Sequence, residues 1–203
     1  MEKMSKCFLL TWHYTKEPIA SAYTPLHSKA GQDLIVLLNG HNKLPFELNL
    51  VKLSLIKNEL VKSSNIKDLP ILWLDYLPNN LAWPLMSSKL KEIIDNNLSG
   101  NEGVDWISAT INGDNEKRTY YIPRFNHFLD VLDFEKTIFV PGTDHVIKPV
   151  FSISKIRPYC IFTKPSGFDL WKITPNLYIK DELKMILKKE KITGLDFSEI
   201  KLS

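Results

Sequence analysis

The five histidines are the first residues to consider for chemistry, because an imidazole can bind zinc or transfer a proton near neutral pH. They are His13, His27, His41, His127 and His145. None of them forms a His-x-x-x-His pair, and the cysteines form no Cys-x-x-Cys pair, which are common spacings of zinc ligands. The sequence therefore predicts isolated surface or core histidines, with no metal and no other cofactor.

A pair of carboxylates and one thiol are the next candidates. Asp130 and Asp133 lie in an apolar run, where they could divide acid and base roles or, more simply, cap a turn or accept backbone N–H bonds. Cys160 lies between Tyr159 and Ile161 in a strand-like run, which is typical of a buried, unreactive thiol. For all three residues the structural interpretation is favoured.

Longer catalytic motifs are also absent from the sequence. The sequence contains no glycine-rich phosphate loop, nucleophile elbow or P-loop lysine. We therefore expect no catalytic residue and no enzymatic activity. The alternative is a small hydrolase or nucleotide-modifying enzyme whose site is not visible in linear motifs.

Two other segments could bind a macromolecule. Phe168 and Trp171 stand in the loop-like stretch KPSGFDLWK, where large aromatic side chains either anchor an interface or fold back onto the core. The tip of a predicted hairpin carries Asp114, Glu116 and Arg118, which are either solvated or part of an interface. These five residues are the candidate partner-binding set.

The composition limits the class of protein. The chain has 203 residues, 44% apolar and 24% charged, which suits one large domain or two small lobes with a real core. A net charge of +3 is too small to indicate a nucleic-acid partner, and the densest basic run, residues 184–191, fits the solvated face of a helix. No secretory signal or membrane span is predicted. Two distant cysteines, Cys7 and Cys160, are typical of a reducing compartment, so we expect a soluble protein of the cytoplasm.

Hydrophobic patterns predict the elements that must position these residues. Short apolar or alternating runs predict strands over residues 6–14, 33–38, 48–55, 71–74, 148–156 and 159–163. A hairpin is predicted with strands over 104–111 and 118–123, because Asn112-Gly113-Asp114-Asn115 is a strong turn signal. Residues 15–32 are expected to be an irregular loop.

Two helices complete the expected fold. Apolar residues at helical spacing predict one after Pro84, with Ser87 or Ser88 as its cap, and another over residues 181–189. Together these elements predict an α+β fold with a mostly antiparallel sheet and two amphipathic helices in the C-terminal half. We expect a strand-rich region over residues 1–78 and an α+β domain over 79–203, packed as one unit.

A helix-to-strand unit occurs twice in the sequence. SSKLKEII followed by GVDWISATI matches KDELKMIL followed by GLDFSEI. In this alignment three pairs of residues correspond: Ser88 with Asp181 at the cap, Gly103 with Gly194, and Trp106 with Phe197. The glycines permit a positive φ between helix and strand, and the two aromatic residues are predicted core anchors.

The order of several motifs resembles the immunity proteins of bacterial polymorphic toxin systems. The motifs are Trp83-Pro84, Ser88 before a helix, the Tyr120-Tyr121 strand, DVLD at residues 130–133, and a closing helix followed by TGLDF at residues 193–197. The resemblance is to families with a Gly-x-x-Phe strand after the C-terminal helix, here Gly194 and Phe197, and it covers residues 70–203. Asp181 stands where such families often have Ser, and both residues cap helices well.

The resemblance implies a small cytoplasmic protein that binds and blocks a cognate toxin domain and has no catalytic site of its own. The toxin is usually encoded beside the immunity protein and is delivered between competing bacteria. The expected partner is therefore a protein, not a nucleic acid or a membrane.

Overall fold

The computed structural model describes residues 6–13, 17–24, 31–57, 59–166 and 170–203. In chain order the described elements are β1 (Cys7–Trp12), β2 (Ile19–Tyr23), α1 (Gly31–Leu37), β3 (Leu48–Ile56), β4 (Glu59–Ser63), α2 (Ser88–Asp95), β5 (Val104–Asn112), β6 (Lys117–Phe125), β7 (Ile138–Phe139), β8 (Val146–Lys148), α3 (Ile153–Ile156), β9 (Ile161–Thr163), β10 (Leu177–Lys180), α4 (Asp181–Lys189) and β11 (Leu195–Glu199). None of these helices has the length and apolar character needed to cross a membrane.

Two main sheets organise the elements. The first has the order β11-β1-β10-β9 and is antiparallel throughout. The second has the order β2-β3-β5-β6, with β4 also paired to β3, and its one parallel pairing joins β3 to β5. The predicted α+β fold with mostly antiparallel strands is confirmed. Both sheets contain strands from either side of residue 78.

Each sheet has its own apolar core. The core of the first sheet contains Leu90 and Ile94 from α2 and Leu183 and Leu187 from α4, as the helical spacing predicted. There Phe151 packs against two further buried rings, with centroids 5.3 Å from that of Phe162 and 4.7 Å from that of Tyr178. The β5–β6 hairpin is confirmed and carries much of the second core.

The helix caps differ by one residue from the expected pairing. The N-cap of α2 is Ser87, whose hydroxyl accepts the N–H of Leu90 at 3.2 Å, and Ser88 is the first helical residue. Asp181 is likewise the first residue of α4, and Lys180 occupies its N-cap without a side-chain bond. Asp181 therefore favours α4 through the positive end of the helix dipole and not by capping.

Two predictions for the N-terminal third were wrong. Residues 33–38 lie mainly in α1, because Leu34, Ile35 and Leu38 are buried at helical spacing and a short apolar run does not distinguish helix from strand. The expected loop over residues 15–32 contains β2, in which Ala20 and Ala22 alternate into the core opposite β3. These residues were missed because small side chains give a weak alternation signal.

Two later strand predictions were also wrong. Residues 71–74 form no strand, and Leu72, Trp73 and Leu74 pack against the second core from a loop. Residues 148–156 contain only the end of β8 and then α3, and their burial comes from Val150, Phe151 and Ile156. In both segments apolar residues are buried by tertiary packing without strand pairing.

The two copies of the helix-to-strand unit share a glycine with positive φ before the strand, but their strands belong to different sheets. Gly103 and Gly194 both have positive φ, +59° and +82°, and each precedes a strand. However, β5 belongs to the second sheet and β11 to the first. Trp106 and Phe197 are half-buried at the side of the first core, so neither is the fully buried anchor that the alignment predicted.

Replacing Trp106 by alanine should destabilise the protein by about 2–3 kcal/mol, below the figure for a fully buried aromatic. The indole Nε1 donates to Asp95 Oδ1 at 2.7 Å, and Lys91 Nζ lies 5.2 Å from the ring centroid. Urea unfolding would measure the loss, with Trp106→Phe as the control that removes the hydrogen bond but keeps most of the packing. An alanine variant as stable as the wild type would show that these contacts contribute nothing.

Candidate protein-binding surface

Of the two predicted loop aromatics, only Trp171 lies within the described residues. Trp171 is half-buried against the first core, and its ring packs edge-on against Phe128 at a centroid distance of 6.2 Å. Phe128 is 50% exposed, and Leu170 beside Trp171 is 37% exposed. Phe168 lies outside the described residues. Trp171 thus folds back onto the core while its partner Phe128 presents an aromatic face to solvent.

The charged hairpin tip is paired within the molecule. Arg118 Nε donates to Glu116 Oε1 at 2.7 Å, and its guanidinium lies 4.8 Å from the ring centroid of Trp73. The hydrogen bond from Arg118 lowers the pKa of Glu116. Asp114 is exposed at the turn. The tip is therefore a solvated turn whose arginine packs onto its own protein, which makes it a poor anchor for a partner.

The two carboxylates of the DVLD motif serve different segments. Asp133 accepts the backbone N–H groups of Glu135 and Lys136 at 3.1 and 3.3 Å, and hydrogen bonding, first from Ser203, lowers its pKa. Asp130 forms an exposed ion pair with Lys155 at 2.9 Å. The turn-stabilising interpretation therefore describes Asp133, whereas Asp130 pairs with a lysine.

The cysteines and histidines are the remaining candidates for chemistry. Both thiols are free, and burial raises the pKa of Cys160 to about 11 and that of Cys7 to about 12, which keeps them protonated at neutral pH. His13 Nδ1 lies 2.9 Å from Asp196 Oδ2 at the surface. His27 lies outside the described residues. Within the described ranges, no group of three or more His, Cys, Asp and Glu side chains could hold a metal ion.

An apolar groove is a surface feature that the sequence did not predict. It lies where the end of β1 meets the β3–β4 hairpin, and we call it the Trp12 groove. Its apolar lining includes Trp12, Ile19, Leu53, Leu55, Leu60, Ile71 and Leu74, and the side chains of His13 and Glu17 lie beside them. A cavity of about 320 Å³ and an adjoining hollow of about 50 Å³ share His13, Glu17 and Ile19. Three of its large apolar side chains are substantially exposed: Trp12 at 46%, Ile71 at 50% and Leu60 at 64%.

Strand pairing positions the floor of this groove. Leu55 lies opposite Leu60 across the β3–β4 hairpin, and Ile19 lies opposite Leu53 across β2 and β3, so these side chains share one face of the second sheet. Strand β4 lies at the edge of that sheet and is exposed along most of its length. Such an edge also offers backbone N–H and C=O groups to an incoming strand.

The wall of the groove belongs to the first sheet. Trp12 ends β1 opposite Leu195 of β11, and the His13 N–H donates to the Gly194 carbonyl oxygen at 2.9 Å. The groove is therefore built by two sheets that meet through residues far apart in sequence. The one local signal was the alternation of Leu53 and Leu55 in the predicted strand over residues 48–55, whereas no strand was predicted around Leu60.

The residues that carry the family resemblance do not form one surface. Trp83 is 5% exposed in the second core, and its backbone is bound by the side chain of Asn79. Thr193, next to Gly194, donates its N–H and its hydroxyl to Asp75 Oδ2, each at 3.0 Å, and Asp75 Oδ1 accepts the Ser87 hydroxyl at 2.7 Å. These motif residues join the start of α2 to the start of β11, which is a structural role.

Comparison with known proteins assigns no family to the chain. No family model matches the sequence, and no curated protein matches it. What the protein binds therefore has to be inferred from its own residues and surfaces.

Proposed function

We propose that this protein is an immunity protein, which binds a cognate toxin domain in the cytoplasm and blocks it. The observation that carries the proposal is the Trp12 groove, where large apolar side chains are exposed together at the junction of two sheets. The order of motifs from Trp83 to Phe197, which resembles immunity proteins, supports the same function.

The groove has the properties of a protein-binding site. Contiguous exposed apolar surface is uncommon on monomeric proteins and marks interaction sites. Trp12 offers a large, partly exposed aromatic anchor, and such residues dominate binding free energy. Neutralisation requires the complex to outlast the toxin's catalytic cycle, so we expect sub-nanomolar affinity, about −12 kcal/mol or tighter.

A matched pair of exposed substitutions tests this interface. Leu60→Asp places a charge in the groove, and Ile147→Asp places one on β8, where the side chain is 60% exposed compared with 64% for Leu60. We expect Leu60→Asp to raise the Kd for the toxin domain roughly 30-fold, about 2 kcal/mol, and Ile147→Asp to leave it unchanged. Co-expression with the toxin domain encoded beside the gene should give growth for the wild type, and the purified pair should elute at fixed stoichiometry.

The outcomes separate function from interface. A wild-type chain that neither rescues growth nor binds the toxin domain contradicts the immunity proposal. If the wild type rescues growth and Leu60→Asp binds as tightly as Ile147→Asp, the Trp12 groove is not the interface. Phe128→Ala and Trp171→Ala then test the other aromatic surface, where a loss of about 2 kcal/mol would place the partner.

A further inference from the structure

The helix α4 and the strand β11 enclose a second groove, which is basic. Its lining contains three cations, Lys184, Lys188 and Lys191, together with one carboxylate, Asp196, and the ring of Phe197 from β11. We call it the lysine groove, and its volume is about 360 Å³. These lysines belong to the basic run that the sequence analysis explained as a solvated helical face.

Aromatic rings hold the ammonium groups in place. Lys184 Nζ lies 3.2 Å from the ring centroid of Phe8 and 5.9 Å from that of Phe197, and Lys188 Nζ also lies 5.9 Å from the Phe197 centroid. Two cations one helical turn apart therefore share one ring. Cation–π attraction orients them but does not neutralise their charge.

The groove has an excess of positive charge. Within the described part of the chain, Lys184, Lys188 and Lys191 have no ion-pair partner, while Asp196 contacts His13 and Glu199 pairs with Lys6. Burial and the neighbouring Lys188 lower the pKa of Lys184, and Lys6 acts in the same direction, whereas Asp181 and Glu199 oppose the shift. A bound anion would offset the repulsion between the ammonium groups of Lys184 and Lys188.

We propose that the lysine groove binds an acidic segment of the partner protein, a step that rests on the immunity function. Its apolar walls, Leu187, Ile192 and Leu195, suit the side chains that flank Asp or Glu in a protein. A nucleic acid would require a longer track of phosphate contacts than three lysines supply.

The two grooves adjoin through β11. Leu195 lies opposite Trp12, and Phe197 lies two residues further along the same strand. One partner can therefore place an apolar segment in the Trp12 groove and an acidic segment in the lysine groove. Complementary charge at such a rim steers association and sets specificity.

Peptide binding by the purified full chain tests the lysine groove without the toxin. The probe is a short synthetic peptide of alternating Glu and Leu, titrated by calorimetry at low salt. We expect Lys184→Gln/Lys188→Gln to weaken binding about tenfold, because two surface ion pairs are lost. The control is Lys189→Gln, which removes an exposed charge from the same helix outside the groove and should bind like the wild type.

Two results would overturn the inference. One is equal peptide affinity for the double variant and the wild type, with both shown to be folded by circular dichroism. The other is lysine-dependent binding of a duplex DNA oligonucleotide that is tighter than peptide binding at the same salt concentration.

The toxin domain then separates this inference from the proposed function. If the wild type rescues growth but the double variant binds the toxin domain with unchanged Kd, the acidic-segment inference falls and immunity stands. If peptide binding depends on the two lysines but the wild type does not rescue growth, immunity falls and the groove remains a site for acidic segments.

Discussion

Replacing Gly194 by alanine is expected to destabilise the protein by about 4 kcal/mol or more, which is a large part of a typical domain's stability. Gly194 has a φ of +82°, a conformation that costs an L-residue about 1 kcal/mol. An added Cβ would also lie 2.3 Å from the Tyr76 carbonyl oxygen and 3.1 Å from Leu74 Cβ. The Tyr76 carbonyl belongs to the backbone, so the loop itself would have to move.

That displacement would disturb the junction between the two sheets. The Tyr76 N–H donates to the Thr193 carbonyl oxygen at 3.0 Å, and Asp75 binds Thr193 through its side chain. The same loop lines both the Trp12 groove and the second core, so, under the proposed function, we also expect Gly194→Ala to weaken binding of the toxin domain. Urea unfolding measures the stability, and co-purification measures the binding.

Gly142→Ala is the matched control. Gly142 has a φ of +76°, and nothing lies within 4 Å of an added Cβ. Its replacement should therefore cost only the conformational term, about 1 kcal/mol. Equal losses for the two variants would mean that the close approach to Tyr76 is relieved without cost.

The elements predicted correctly are those whose signals are local. Helix α4 runs from Asp181 to Lys189 as expected, because apolar spacing and flanking residues lie within one segment. The β5–β6 hairpin likewise follows from alternation on either side of Asn112-Gly113. In both elements, residues close in sequence supply the whole hydrophobic pattern and the signals that mark its ends.

The elements missed depend on distant partners. Strand β1 was predicted correctly within residues 6–14, but its position between β10 and β11 joins the two ends of the chain and is specified by no local pattern. Helix α1 was predicted as a strand because its apolar run is too short to show a period. Strand β4 gave no signal because it is an edge strand whose side chains are almost all exposed.

The candidate surface also depends on contacts between residues that are distant in the sequence. Trp171 could be singled out from its loop, but Phe128 became its partner only through folding. The Trp12 groove was invisible because Trp12 and Leu60 belong to different sheets. Its chemistry arises where β1 ends beside the β3–β4 hairpin, which is a property of tertiary structure.

Glu102 is a buried carboxylate that the sequence did not single out. It is 0% exposed and accepts the Ser99 N–H at 3.0 Å, the Ser99 hydroxyl at 2.9 Å and the Cys160 N–H at 2.6 Å. These bonds join the loop after α2 to the segment that leads into β9. Glu102→Ala would remove a fully buried acceptor that three donors share, so we expect a loss of about 3–4 kcal/mol in the free energy of unfolding.

Acid should reduce the difference between the wild type and Glu102→Gln. Burial alone would raise the pKa of Glu102, but the N–H groups of Cys160 and Ser99 outweigh it and hold this pKa below its ordinary value. A carboxyl with a lowered pKa in the folded protein stabilises it fully above the unfolded value, about 4.3, and this contribution is lost as the pH falls through the folded value.

Urea unfolding of both proteins between neutral pH and pH 3 tests this linkage. Other carboxyls with lowered pKa, such as Asp133, titrate in both proteins and cancel in the difference. We expect a constant difference of about 2 kcal/mol above pH 5 that shrinks below pH 4. A difference that stays constant down to pH 3 would mean that folding does not lower the pKa of Glu102, and that the ionised carboxylate does not stabilise the fold more than the protonated one.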